Sequence, residues 1–221
     1  MTHRRIARAT VCAAALLSLG CLGLKRAPLE KRYFTIEARR RAEPREKILN
    51  AALELRPLRV SPQYDRPGFV YRLGELDYEA DFYNEFFVPP GPMIAGETAR
   101  WIADSGLFER VVDSGAMGAP THVLEGAVVT LLGDYLDRDR PVATIEMQFL
   151  LARDVGSGFV FPFQRTYLHG EPLDEPTPAG LARAWSRALE AILMQLEIDL
   201  VAELTVLEAE GAGSDRSARR E

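Results

Sequence analysis

Between Leu181 and Leu204, apolar side chains return every three or four residues: Leu181, Trp185, Ala188, Leu189, Ile192, Leu196, Leu200 and Leu204. That period lays one continuous stripe along a helix, wide enough to cover a sheet. Thr177 can cap the start, and Pro178 fits a first turn, where a missing N–H costs nothing. The spacing therefore predicts a helix over 178–207. Residues 208–221 lose the pattern and read as a disordered tail. A second helix is predicted over 92–105. Pro92 opens it, Met93, Ile94, Trp101 and Ile102 share a face with Ala95, Ala99 and Ala103 alongside, and Gly106 ends it in the left-handed conformation.

Elsewhere the pattern shortens to a period of two. Ile145, Met147, Phe149 and Leu151 alternate with Thr144, Glu146 and Gln148, and Phe159, Phe161, Phe163 and Tyr167 fall on one side of the next segment. With Val123–Leu136 before them, and turns at 137–141 and 154–158, these predict an antiparallel meander. Phe69–Leu73 and Leu76–Ala80 predict a hairpin about Gly74-Glu75. Leu76, Tyr78, Ala80 and Phe82 would face the core, and Asp77, Glu79 and Asp81 would face water. Arg32–Glu37 and the region 52–60 supply two further strands. The expected fold is α+β: a single antiparallel β-sheet with two helices, about 92–105 and 178–207, packed mainly on one face.

The first twenty residues follow a different logic. Arg4, Arg5 and Arg8 precede an apolar run from Ala9 to Leu19, and Gly20-Cys21 follows, which is the layout of a bacterial export signal. The run is too short for the roughly 20 apolar residues that cross a bilayer. A cysteine at the cut site points to a lipoprotein whose mature first residue, Cys21, carries covalent lipid. In Leu17-Ser18-Leu19-Gly20-Cys21 the leucine and small positions are displaced by one from the usual lipoprotein order. Ser18 and Gly20 also suit an ordinary signal peptidase, so a soluble secreted protein and an uncleaved anchor stand as alternatives. The expected organisation is 1–20 signal peptide, 21–31 lipidated terminus and tether, 32–207 α+β domain, and 208–221 tail.

Charge and chemistry narrow the function classes. The chain carries 27 Lys and Arg against 32 Asp and Glu; without Arg4, Arg5 and Arg8, 24 basic residues face 32 acidic ones, a net of −8. Such a balance argues against nucleic acid or an anionic bilayer surface as the main partner. Nine basic residues cluster between Lys25 and Lys47 and read as a solvated linker and edge strand, with a lipid-headgroup role as the alternative. Cys12 would leave with the signal and Cys21 would be acylated, so the mature domain offers neither a disulfide nor a thiol nucleophile.

His122 and His169 read as strand-border or turn residues, and no zinc spacing, phosphate loop or nucleophile elbow is present in the sequence. Asp134, Asp137 and Asp139 form a charged turn; a calcium loop counted from Asp134 would need glycine and glutamate where Asp139 and Ile145 stand. No metal and no cofactor beyond the lipid on Cys21 is expected. One segment suggests a docking surface: Phe86, Phe87, Pro89, Pro90 and Met93. Adjacent phenylalanines in a strand cannot both face one core, so either one of the pair is exposed to a partner or an acyl chain, or Phe86 fills the main core and Phe87 a satellite cluster under the helix start.

Several segments together carry a family resemblance. They are Cys21 after an export signal, Tyr33-Phe34 opening a strand, Leu55–Val60, Phe69–Arg72, Phe87–Ile94 leading into a helix, Leu107–Val112, and the long helix containing Trp185. This pattern resembles the auxiliary lipoprotein family of ABC-type transport systems, the paraquat-inducible C-like lipoproteins, over roughly Tyr33 to Leu204. The family usually has a tryptophan before the prolines, where this chain has Phe86-Phe87.

The resemblance implies a non-enzymatic, periplasm-facing lipoprotein of a Gram-negative outer membrane. Its partners would be an MCE-domain protein, an ABC transporter permease, or both, in a system moving lipids or hydrophobic solutes. Leu22, rather than aspartate after Cys21, fits release to the outer membrane. A soluble periplasmic location, direct lipid binding by the domain and, further off, a periplasmic enzyme are the rival expectations.

Overall fold

The structure, a computed structural model, describes residues 30–45, 49–113 and 120–218. Contacts divide the chain into Met1–Glu30 and Lys31–Glu221. The export segment and Cys21 lie outside the described residues. Those of the second unit form nine strands and two helices. In chain order they are β1 (Arg32–Phe34), β2 (Leu49–Leu55), β3 (Arg59–Val60), β4 (Gly68–Arg72), β5 (Tyr78–Phe86), α1 (Pro90–Ser105), β6 (Phe108–Asp113), β7 (His122–Asp134), β8 (Val142–Asp154), β9 (Phe159–Pro172) and α2 (Pro178–Ala218).

Strand β7 organises the sheet. One edge pairs antiparallel with β8, which pairs antiparallel with β9, giving the expected meander. The other edge meets three strands in succession, β2 at His122–Leu124, β3 at Ala127–Val128 and β4 at Gly133–Asp134, and all three run parallel to it. Strand β6 adds parallel to β2, β5 antiparallel to β4, and β1 parallel to β5.

The expectation of a single antiparallel sheet is thus wrong: the sheet is mixed. Tight turns force antiparallel pairing, and the meander and the β4–β5 hairpin obey them. Parallel pairing needs a long connection, and β2, β3 and β4 reach β7 only after the chain has passed through β5, α1 and β6. The strand expected around 52–60 is also broken in two. Pro57 lacks the N–H a ladder requires, and Arg56–Leu58 separates β2 from β3.

The meander's alternation faces the core as predicted. Ile145, Met147, Phe149 and Leu151 are buried, Thr144 and Glu146 are half-buried, and Gln148 is exposed. The α2 stripe from Leu181 to Leu204 is wholly buried against them. Thr177 Oγ1 accepts from Gly180 N at 3.0 Å, the cap expected there. Helix α2 continues to Ala218 although its apolar stripe ends at Leu204. Trp185 Nε1 donates to Leu132 O at 3.1 Å, and its ring meets Phe69 edge-on at 4.8 Å and Phe86 at 5.4 Å. Helix α1 begins at Pro90 and ends at Gly106, whose φ of 74° is the left-handed value a glycine tolerates.

Candidate functional site

The chain enters the domain through a strap. Residues 35–45 are neither helix nor strand, so their amides need partners from elsewhere, and the two helices supply them in turn. Ile36 N reaches Met93 Sδ of α1 at 3.3 Å, and Glu37 N reaches Ser186 Oγ of α2 at 3.2 Å. Ala38 N reaches Glu97 Oε2 of α1 at 2.9 Å, and Arg39 N reaches Glu190 Oε1 of α2 at 3.0 Å.

Arg40 then turns its guanidinium inward to Glu197, with Nε–Oε2 at 2.9 Å and Nη2–Oε1 at 3.0 Å. Arg45 Nε and Trp101 Nε1 complete the junction at 3.0 and 2.9 Å. The side chains of Arg40 and Glu197 are only 3% and 7% exposed. Burial alone would raise the Glu197 carboxyl, but the hydrogen bonds and ion pairs with Arg40 and Arg45 outweigh it and hold it below the usual range.

Beside this entry the sheet carries a row of uncovered aromatic rings. Strand β5 is interrupted by a bulge: Gly68 pairs with Glu85 but Val70 with Ala80. The Asp81 carboxylate builds it, accepting from Tyr83 N, Asn84 N, Asn84 Nδ2 and Tyr71 OH at 2.8–3.0 Å. Those bonds outweigh the effect of burial and lower the Asp81 pKa. The bulge pushes Phe82 and Tyr83 outward, 66% and 39% exposed, with their rings edge-on at 5.2 Å.

Lys31 Nζ sits 4.6 Å from the Phe82 ring centre and also pairs with Glu85. Tyr33, opposite Glu85 in the ladder, meets Phe87 edge-on at 6.3 Å; these two are 56% and 75% exposed. Tyr78 is exposed as well. The alternation of Leu76, Tyr78, Ala80 and Phe82 is therefore real but faces water, contrary to the core placement expected for it. Asp81 and Asn84, both turn-formers in mid-strand, were the sequence signal for this departure.

The segment expected to dock a partner splits. Phe86 is buried between Phe69 and Trp185, Pro90 is buried at the start of α1, and Met93 is buried under the strap. Only Phe87 and Pro89 stay open, with Val88 between them. Tyr33, Phe82 and Tyr83 join Phe87 without having been singled out for that role.

The remaining candidates fall elsewhere. His122 opens β7, where burial and the charge of Arg153 push it down to about 4. His169 pairs with Glu171 in β9. Asp134 pairs with Arg72, and Asp137 with Arg140. Phe159 and Phe161, expected on one face with Phe163 and Tyr167, are exposed with Val155 and Val160 around the β8–β9 turn, while Phe163 and Tyr167 are buried; the ladder slips by one residue between Leu151 and Arg153. An apolar groove of about 440 Å³ lies between Leu55–Leu58 and the Pro92, Ala95, Gly96 and Ala99 face of α1.

No family model and no curated protein matches this chain by sequence. Its fold is shared. Protein XCC0632 of Xanthomonas campestris, described as DUF330, superposes with a TM-score of 0.69 at 18% identity, covering 81% of this chain and 99% of its own. A second crystal structure, of an uncharacterized protein, gives 0.62 at 13% identity over 77% of this chain and 99% of its own. At these identities the likeness is one of fold.

Proposed function

We propose that this chain is a lipid-anchored, non-enzymatic auxiliary subunit of an ABC- and MCE-type system for lipids or hydrophobic solutes, held to the outer membrane by acylated Cys21. The observation that carries the proposal is the strap. A tether does mechanical work only if its inner end is fixed, and here four consecutive amides are bonded to the two helices in alternation before Arg40 locks into a buried junction. A load on Cys21 is delivered to both helices at once.

Two uncovered apolar surfaces, the Phe82–Phe87 aromatic row and the Val155–Phe161 turn, are available for contact. The partner would be an MCE-domain protein or ABC permease of the same system. The test is co-purification of the anchored protein with an MCE-domain protein or permease from its own cell envelope. Enrichment over a Cys21→Ala control supports the reading, and failure with intact anchored protein sinks it.

Direct lipid carriage is a second reading, and the groove along α1 favours it. Lipid that co-purifies in proportion to protein, and is lost in Ala99→Trp, would move the assignment to that class.

A further inference from the structure

We infer that the row of Tyr33, Phe82, Tyr83 and Phe87 lies in the headgroup layer of the anchoring membrane and sets the domain's orientation there; this rests on the acylated Cys21 proposed above. The row is continuous on the sheet face opposite Phe34 and Phe86. Tyr83 touches Phe82, Lys31 lies over Phe82, Lys31 pairs with Glu85 beside Tyr33, and Tyr33 touches Phe87. The Asp81 bulge spends four hydrogen bonds holding Phe82 and Tyr83 out of the core, so their exposure is built into the strand.

Chain length selects the occupant. Lys31 is ten residues from Cys21, and ten residues span at most about 35 Å fully extended. Lys31 lies over Phe82, so the near end of the row stays within about that reach of Cys21. Composition agrees. Tyrosine and phenylalanine with a lysine between them match the interfacial zone, where amphipathic rings sit at headgroup level and a lysine stem lies along apolar surface with its ammonium in water. Glu85 does not oppose this, because Lys31 neutralises it. The acyl chains hold the domain at the surface, and the row is a second contact that fixes which side of the domain faces it. It leaves the β8–β9 turn, beside His122 at the other end of β7 from the β4–β5 pair, for a protein partner.

The experiment uses the full acylated chain, with Phe87→Trp and separately Phe82→Trp, in vesicles of phosphatidylethanolamine and phosphatidylglycerol. Trp101 and Trp185 are buried and serve as an internal background. The expected result is a blue shift of the added emission and its quenching by lipids brominated near the carboxyl end of the acyl chain, with the parent emission unchanged. Protein that floats with the vesicles but keeps an unquenched, water-like added indole overturns the inference and leaves the anchor reading intact. Protein that does not float overturns both. Loss of MCE-domain or permease co-purification in detergent from Phe82→Ser/Phe87→Ser also overturns it, since the row would then be a protein contact; unchanged co-purification supports it.

Discussion

Glu197 accepts from three residues, Arg40 and Arg45 of the strap and Trp101 of α1, and its removal is the most damaging single change these contacts imply. Glu197→Ala leaves the Arg40 guanidinium buried without its counter-charge, and breaking a buried pair from one side costs about 3–5 kcal/mol. Denaturant unfolding should show that loss, with a smaller one for Glu197→Gln, which keeps an acceptor. Because the native carboxyl titrates below its ordinary value of 4.5, its contribution is complete above that pH and is lost as acid protonates the folded state.

His122 acts in a separate window. The native ring stays neutral down to about 4, whereas the unfolded ring titrates near 6.5. Between those values the unfolded chain binds a proton that the native chain does not, so stability is full above 6.5 and falls as pH drops toward 4. Denaturant midpoints across this range should flatten in His122→Leu. An unchanged slope would contradict the burial of the ring.

At the scale of elements, two glycines should answer alanine in opposite directions. A Cβ on Gly68 would lie 2.3 Å from Asp81 O, a backbone atom fixed by the bulge, so Gly68→Ala should destabilise by about 1–3 kcal/mol. A Cβ on Gly96, within α1, meets nothing within 4 Å, so Gly96→Ala should stabilise by about 0.5–1 kcal/mol. Thermal melts of the two variants give the signs directly.

The same elements show what a sequence can disclose. Helix α2, helix α1 and the meander were legible because each rests on local periodicity and a turn or cap of known chemistry: Thr177, Gly106, the residues at 137–141. The parallel partners of β7 were not, because nothing within Leu49–Leu55 or Gly68–Arg72 encodes which distant edge they join. Leu76–Phe82 failed for another reason. Alternation shows that a strand has an apolar face, but the rest of the fold decides whether anything covers it. Of the docking segment, the inference that the two phenylalanines face opposite ways was sound, with Phe86 buried and Phe87 exposed. Pro90 and Met93 went to the core because α1 starts at Pro90 and the strap crosses Met93.

For the whole molecule, the prediction concerns location. If Cys21 is the anchor, Cys21→Ala should leave the membrane fraction and appear in the soluble envelope fraction with its melting behaviour unchanged. Firm attachment of that variant would remove the lipid from the proposal. The aromatic row alone is a weak membrane signal, so residual binding of the variant should be partial and should fall further in Cys21→Ala/Phe87→Ser.

The Arg40–Glu197 pair joins positions 157 residues apart, which bears on the order in which the protein is made. The strap is synthesised early, yet half of its bonding partners lie on the last helix. A chain ending before residue 197 would carry all nine described strands but leave Arg40 without the carboxylate that pairs it. The strap is thus among the last parts of the domain to settle, closing only once the helix that carries Ser186, Glu190 and Glu197 has formed.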